Sequence, residues 1–222
     1  MEYVFSSELL NVNLRYLGIL LCLIMSLVVL RKTPYRRDAY HQVICLLFAV
    51  VADFFLLYTK FFLVGIMIFW CAHICAIRRY RIRLFFPAVT VAVIGGAVCG
   101  IFAGIGDTIV RTVPFLSFLT LGSGEMLVNI AAFFYAVFIL TATVATFFYP
   151  QAKANNICSR LGMSLFVACD INVLLFNTMS HDSPLFGLVS QLMWIFYLPS
   201  QILLSISANN FADEKKEENS GS

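Results

Sequence analysis

"FAVVADFFLLYTKFFLVGIMIFWCAH", residues 48–73, decides the fold. It is an almost unbroken apolar run that holds an aspartate at 53, a lysine at 60 and a histidine at 73. Two adjacent membrane-crossing helices account for it, Ala39 to Tyr58 and Phe61 to Ile77, with Asp53 inside the first and His73 inside the second. Composition points the same way over the whole chain. Of 222 residues, 61% are hydrophobic and 12% charged, where a soluble domain has about a quarter of its residues charged. The stretches Leu84 to Gly104, Met126 to Tyr149 and Leu185 to Asn209 carry no formal charge, and each reaches the ~20 residues that cross a bilayer core as helix.

Tyr16 to Leu30 and Leu161 to Asn177 read as two further spans, which makes seven. An eighth is expected at Thr108 to Leu121, interrupted by Arg111 and Pro114. The expected fold is therefore all-α, an integral membrane bundle of eight transmembrane helices. Residues 1–209 form a single transmembrane domain and 210–222 a disordered polar tail. No cleavable leader is expected, because Glu2, Glu8 and a single Arg15 precede the first apolar run where a basic start would stand.

The basic loops set the orientation. Arg31, Lys32, Arg36 and Arg37 form one cluster, and Arg78, Arg79, Arg81 and Arg83 another. The positive-inside rule places loops 31–37 and 78–83 in the cytoplasm. Eight spans then put both termini on the outer or luminal face, together with Lys153, Arg160, Lys215 and Lys216. The plasma membrane is expected over the endoplasmic reticulum. The bilayer is the expected partner, and a net charge of +3 calls for no nucleic acid; the composition is silent on oligomeric state.

Seven cysteines, mostly within apolar spans, read as small buried hydrophobes. "CAHIC", residues 71–75, looks like a metal cluster on paper. On a helix, Cys71 and Cys75 share a face, while His73 is turned by about 200° to the other side, so no metal site is expected. Asp107 and Glu125 fall at expected helix ends and are given no role. Ser123 with Glu125, and His181, Asp182 and Ser183 before Pro184, read as ordinary helix starts.

An aspartate in the middle of a membrane helix costs ~2.5–3.5 kcal/mol, which makes it a functional candidate. There are two, Asp53 and Asp170. Asn177 follows Asp170 by two helical turns and is expected on the same face. In the last span Gln191, Trp194, Tyr197, Gln201 and Ser205 recur at three- and four-residue spacing, a polar and aromatic stripe on an apolar helix. These groups and His73 are expected to meet in one cavity. As single groups they would serve equally well as interhelical hydrogen-bonding glue.

Three blocks carry a family resemblance: "LLFAVVADFFLLYTKFFLVGIMIFWCAHI" with Asp53, Gly65 and His73, "LGMSLFVACDINVLL" with Asp170, and "FYLPSQILL" with Tyr197 and Gln201. In order and spacing the chain resembles the lysoplasmalogenase family of small multi-pass membrane proteins, also called YhhN-like. It departs from the family pattern at Ala52, Cys169 and Ser200, where Gly, Ser and Ala are common, and at Ala76 and Ile77, where a Tyr is usual.

The resemblance implies an eight-helix enzyme, free of metal and organic cofactor, that hydrolyses the vinyl ether bond of lysoplasmalogens. Its products would be a fatty aldehyde and a glycerophospho-headgroup. The substrate is thus expected to be a lysophospholipid, with Asp53 and Asp170 as the catalytic carboxyls and His73 and Gln201 as support or proton relay. Tyr197, Asn177 and Trp194 would bind substrate. A carboxyl kept out of water stays protonated at neutral pH, and a second carboxylate stabilises an oxocarbenium ion, as in glycosidases. The residues alone leave two other readings open. One is a proton-coupled transporter, whose helices would break at Gly95, Gly96, Gly100 or Pro199; the other is a scaffold in which both carboxyls merely pack.

Overall fold

The computed structural model describes residues 2–59, 61–105, 123–148, 153–178 and 184–209. Among them are seven α-helices and no strand: α1 (Glu2–Lys32), α2 (Arg36–Tyr58), α3 (Phe62–Arg81), α4 (Phe85–Ile105), α5 (Ser123–Thr146), α6 (Lys153–Thr178) and α7 (Phe186–Ile206). A short 3-10 turn, Ile82–Leu84, joins α3 to α4. Helix is the fold that apolar length dictates, since lipid offers no partner for an open backbone group and a helix satisfies its own. Five stretches are long and apolar enough to cross a membrane, in α1, α2, α3, α6 and α7, and Phe85–Ala97 and Ile130–Thr146 are shorter apolar helices. The protein is an all-α, multi-pass membrane bundle. The eighth span expected at Thr108–Leu121, the pair His181 and Asp182, and the polar tail lie outside the described residues.

The helices form a ring in the order α1, α2, α3, α5, α6, α7, closed by α7 against α1, and α4 packs outside it on α5. α2 also reaches α7 across the ring. The outward surface is apolar, with Leu14, Leu21, Phe86, Leu174 and Ile195 exposed, whereas Gln42, Asp53, His73, Ser200, Gln201 and Ser205 are buried. Lipid tails satisfy the first set as well as a core would, and the polar groups are left to find partners inside.

Neighbouring helices fix the direction of travel. Tyr16 of α1 packs on Phe54 and Tyr58 of α2, Asp38 at the start of α2 meets Arg79 near the end of α3, and Phe176 of α6 stacks on Phe186 of α7. Asn155 of α6 donates to the carbonyl of Ser207 just beyond α7 at 2.8 Å, and Ser207 accepts from Arg79. The starts of α2 and α6 and the ends of α3 and α7 therefore share one end of the bundle. The chain enters α1 at one end and leaves α7 at the other, which corrects the expectation that both termini share a face. Lys153 and Arg160 of α6 consequently lie toward the same end as the two basic clusters.

Close helix approach rests on glycine where α2 meets α3. A Cβ at Gly65 would sit 2.7 Å from Leu56 and 3.3 Å from the Ala52 carbonyl, so only a bare backbone fits beside the Asp53 turn. Gly95 and Gly96 do not break α4, which runs continuously. They receive the rings of Phe133 and Phe134, which occupy the space a Cβ would need at either position. Pro199 lies inside α7 on its exposed side, where the carbonyl one turn earlier loses its helical donor.

Arg79 corrects a second expectation. It belongs to the basic cluster read as a loop, yet its side chain is fully buried within α3 and forms a two-pronged pair with Asp38, Nε to Oδ1 at 3.0 Å and Nη2 to Oδ2 at 2.8 Å. Its Nη1 also donates to Gln42, to Tyr80 Oη at 3.2 Å and to Ser207 Oγ at 3.0 Å. This clamp ties α2, α3 and the end of α7 together.

Candidate active site

The two membrane aspartates are each held by a tyrosine from a facing helix. Tyr197 of α7 donates its hydroxyl to Asp53 Oδ2 of α2 at 2.5 Å, across the ring. Tyr135 of α5 donates to Asp170 Oδ2 of α6 at 2.6 Å. Neither carboxyl has a cation bonded to it among the described residues. One oxygen of each is committed as an acceptor, which leaves the second available to carry a proton.

Aromatic rings bridge the two pairs. The His73 ring packs 5.0 Å from Tyr135 and 5.2 Å from Phe166, and Phe166 packs 5.5 Å from Tyr197. His73 is 2% exposed and Gln201 1%. The Nε2 of each is buried without a hydrogen-bond partner, and both residues line a cavity of about 30 Å³ with Gln42, Tyr80, Met163 and Phe166. That volume exceeds the ~10–15 Å³ a water molecule requires, and a buried water needs two or more polar partners of this kind.

The expected site residues therefore divide. Asp53, Asp170, His73, Gln201 and Tyr197 converge, and Trp194 stands beside Tyr197 with its ring 5.8 Å away. Asn177 does not join them. It is exposed, and its amide donates to the Val173 carbonyl of its own helix at 2.7 Å, because the interior positions of α6 follow Met163, Phe166 and Cys169, which are buried. The CAHIC run diverges as helical geometry requires, with Cys71 exposed and His73 buried. No group of three or more candidate metal ligands occurs among the described residues.

Tyr135 is the partner that sequence reasoning missed. Its signal was a phenol in the middle of an uncharged span, where a buried hydroxyl must find an acceptor. Tyr80 was missed as well; it lines the cavity one turn beyond Ala76 and Ile77.

Fold and site together define a multi-pass membrane protein with two tyrosine-held carboxyls among its helices, Asp53 buried and Asp170 half-buried. Residues 13–208 match the YhhN family, and the chain belongs to it. No curated protein and no solved structure matches the chain.

Proposed function

We propose that the protein is a lysoplasmalogenase, a hydrolase that cleaves the vinyl ether bond of alkenyl-glycerophosphoethanolamine or alkenyl-glycerophosphocholine. The observation that carries this reading is the pair of carboxyls, Asp53 and Asp170, each held by a tyrosine hydroxyl in the interior of a membrane bundle. Membership of the YhhN family supports it.

The reaction begins with transfer of a carboxyl proton to the β-carbon of the alkenyl chain. The π electrons form the new C–H bond, and the α-carbon and ether oxygen share the positive charge of an oxocarbenium ion. The second carboxylate stabilises that ion electrostatically. Water adds to the α-carbon and gives up a proton to the carboxylate that supplied the first, which regenerates the acid. The hemiacetal then breaks its bond to the glycerol oxygen, its hydroxyl proton passes to that oxygen, and the aldehyde leaves. Water is consumed and no oxidant enters.

The chain's residues divide these tasks. Tyr197 and Tyr135 fix the two carboxyls, and His73 and Gln201 offer the polar atoms that orient water at the cavity. A single-chain lipid reaches such a site sideways, its tail among the apolar helices. The basic end of the bundle, with residues 31–37 and 78–83, faces the cytoplasm of a plasma-membrane protein by the positive-inside rule.

Aldehyde release from lysoplasmenylethanolamine by the detergent-purified protein tests the proposal, with Asp53→Asn and Asp170→Asn beside it and folding checked by size exclusion. Turnover by the wild type, lost in both folded variants, is the expected result. A wild type inactive across headgroups and pH would refute it. Proton-coupled transport would fail in the same variants but would release no aldehyde in detergent.

A further inference from the structure

Arg15 lies near the start of the Val12–Lys32 span of α1, just before the apolar run that begins at Tyr16. It is half-buried, and its guanidinium carbon stands 4.6 Å from the centre of the Trp194 ring. No carboxylate pairs with it among the described residues, where the one ion pair is Arg79 with Asp38. An arginine near a helix end carries its guanidinium to the membrane interface, where lipid phosphates lie.

Its position relative to the carboxyls gives the ligand. Trp194 packs on Tyr197, and Tyr197 holds Asp53. Arg15, Trp194, Tyr197 and Asp53 therefore form a continuous series. Trp194 and Tyr197 are three residues apart on α7 and so share one face of it. On the α1 and α2 side, Tyr58 donates to Asn13 Oδ1 at 2.6 Å, and Tyr16 lies within electrostatic reach of Asp53. The face around Arg15 is thus polar and aromatic, opposite the end that carries the Arg79 clamp.

We infer that Arg15, stacked on Trp194, binds the phosphodiester of a single-chain lipid and sets that lipid's reacting end at Asp53. The guanidinium presents a planar fork that suits a phosphate, and the indole face holds it in orientation. The inference deepens the lysoplasmalogenase reading and rests on it for the substrate class. It also makes a binding claim that stands without turnover.

The experiment is calorimetric titration of the detergent-purified full chain with two unreactive ligands of equal chain length, 1-O-alkyl-lysophosphoethanolamine and 1-O-alkylglycerol. The wild type is expected to bind the phosphate-bearing lipid about ten- to a hundredfold more tightly, the range of one charge-assisted interaction. Arg15→Gln should remove that preference and leave alkylglycerol binding unchanged, and Arg15→Lys should restore part of it.

Equal loss of both ligands in Arg15→Gln would make Arg15 an anchor of the fold and overturn the inference. A wild type without phosphate preference would overturn it too. Binding of soluble glycerophosphoethanolamine as tightly as the lysolipid would assign the site to a water-soluble ester and refute the lipid claim. A phosphate preference in the wild type that Arg15→Gln removes, with no aldehyde release, would sink the enzyme reading and leave the Arg15 site standing, whereas a preference that survives in Arg15→Gln would overturn the inference.

Discussion

Replacing Asp38 by Asn should destabilise the bundle more than any surface substitution, because it strands a buried charge. Arg79 is 0% exposed and Asp38 12%, so water screens the pair poorly. The carboxylate takes two N–H bonds from the guanidinium, at 3.0 and 2.8 Å. Removing one partner of a buried ion pair costs about 3–5 kcal/mol, most of it the desolvation of the charge left behind. For a chain of this size each kcal/mol moves the melting temperature by about 2–4 °C, so a fall of about 6 °C or more is expected.

The assay is tryptophan-fluorescence unfolding in a single detergent, with Asp38→Leu, Arg79→Met and their double variant completing a cycle. The double variant should recover about half or more of the single losses, since an apolar pair leaves no orphan charge. Wild-type stability should also be insensitive to added salt up to about 1 M, because a buried pair is little screened. A shift below about 2 °C in Asp38→Asn, or a double variant that loses the sum of both singles, would refute the clamp.

Tyr197→Phe and Tyr135→Phe should leave the helical circular dichroism intact and lower kcat about 10- to 100-fold by freeing the carboxyls from their hydroxyls; unchanged kcat in both would remove the tyrosines from the mechanism. Gly65→Val should destabilise by about 1–3 kcal/mol through overpacking, with partial rescue by Leu56→Ala, whose side chain is the one it meets; thermal unfolding of the two variants checks this. His73→Leu and Gln201→Leu should lower kcat more than they raise KM, since they remove groups that orient water. Equal effects on both constants would indicate a packing role. In intact cells, Tyr35→Cys and Asn209→Cys should react with a bulky impermeant maleimide from one side and Asn13→Cys from the other; labelling of positions 35 and 209 from opposite sides would overturn the direction of α7.

The candidate site was largely legible before any coordinates. Asp53, Asp170 and His73 stand out as isolated polar groups in apolar runs, and the Trp194, Tyr197 and Gln201 stripe has the period of one helix face. Asn177 obeyed the same spacing rule and still turned outward. A helix face in lipid is apolar whether it meets a neighbour or an acyl chain, so periodicity cannot tell inside from outside with the certainty it has in water.

The seven helices among the described residues and the membrane that surrounds them were determined by the sequence alone, because apolar length and backbone hydrogen bonding are local properties; the polar starts of α1 and α6, at Glu2 and Lys153 where Tyr16 and Leu161 were expected, were not. Partner choice was decided by the tertiary structure. Tyr135 for Asp170, Tyr197 for Asp53, Asp38 for Arg79 and Trp194 for Arg15 join residues far apart in the chain. The same applies to the direction of α7, which follows from Asn155 and Arg79 meeting Ser207. Hydropathy marks a polar group as needing a partner, and only the packing order of the helices determines which partner it meets.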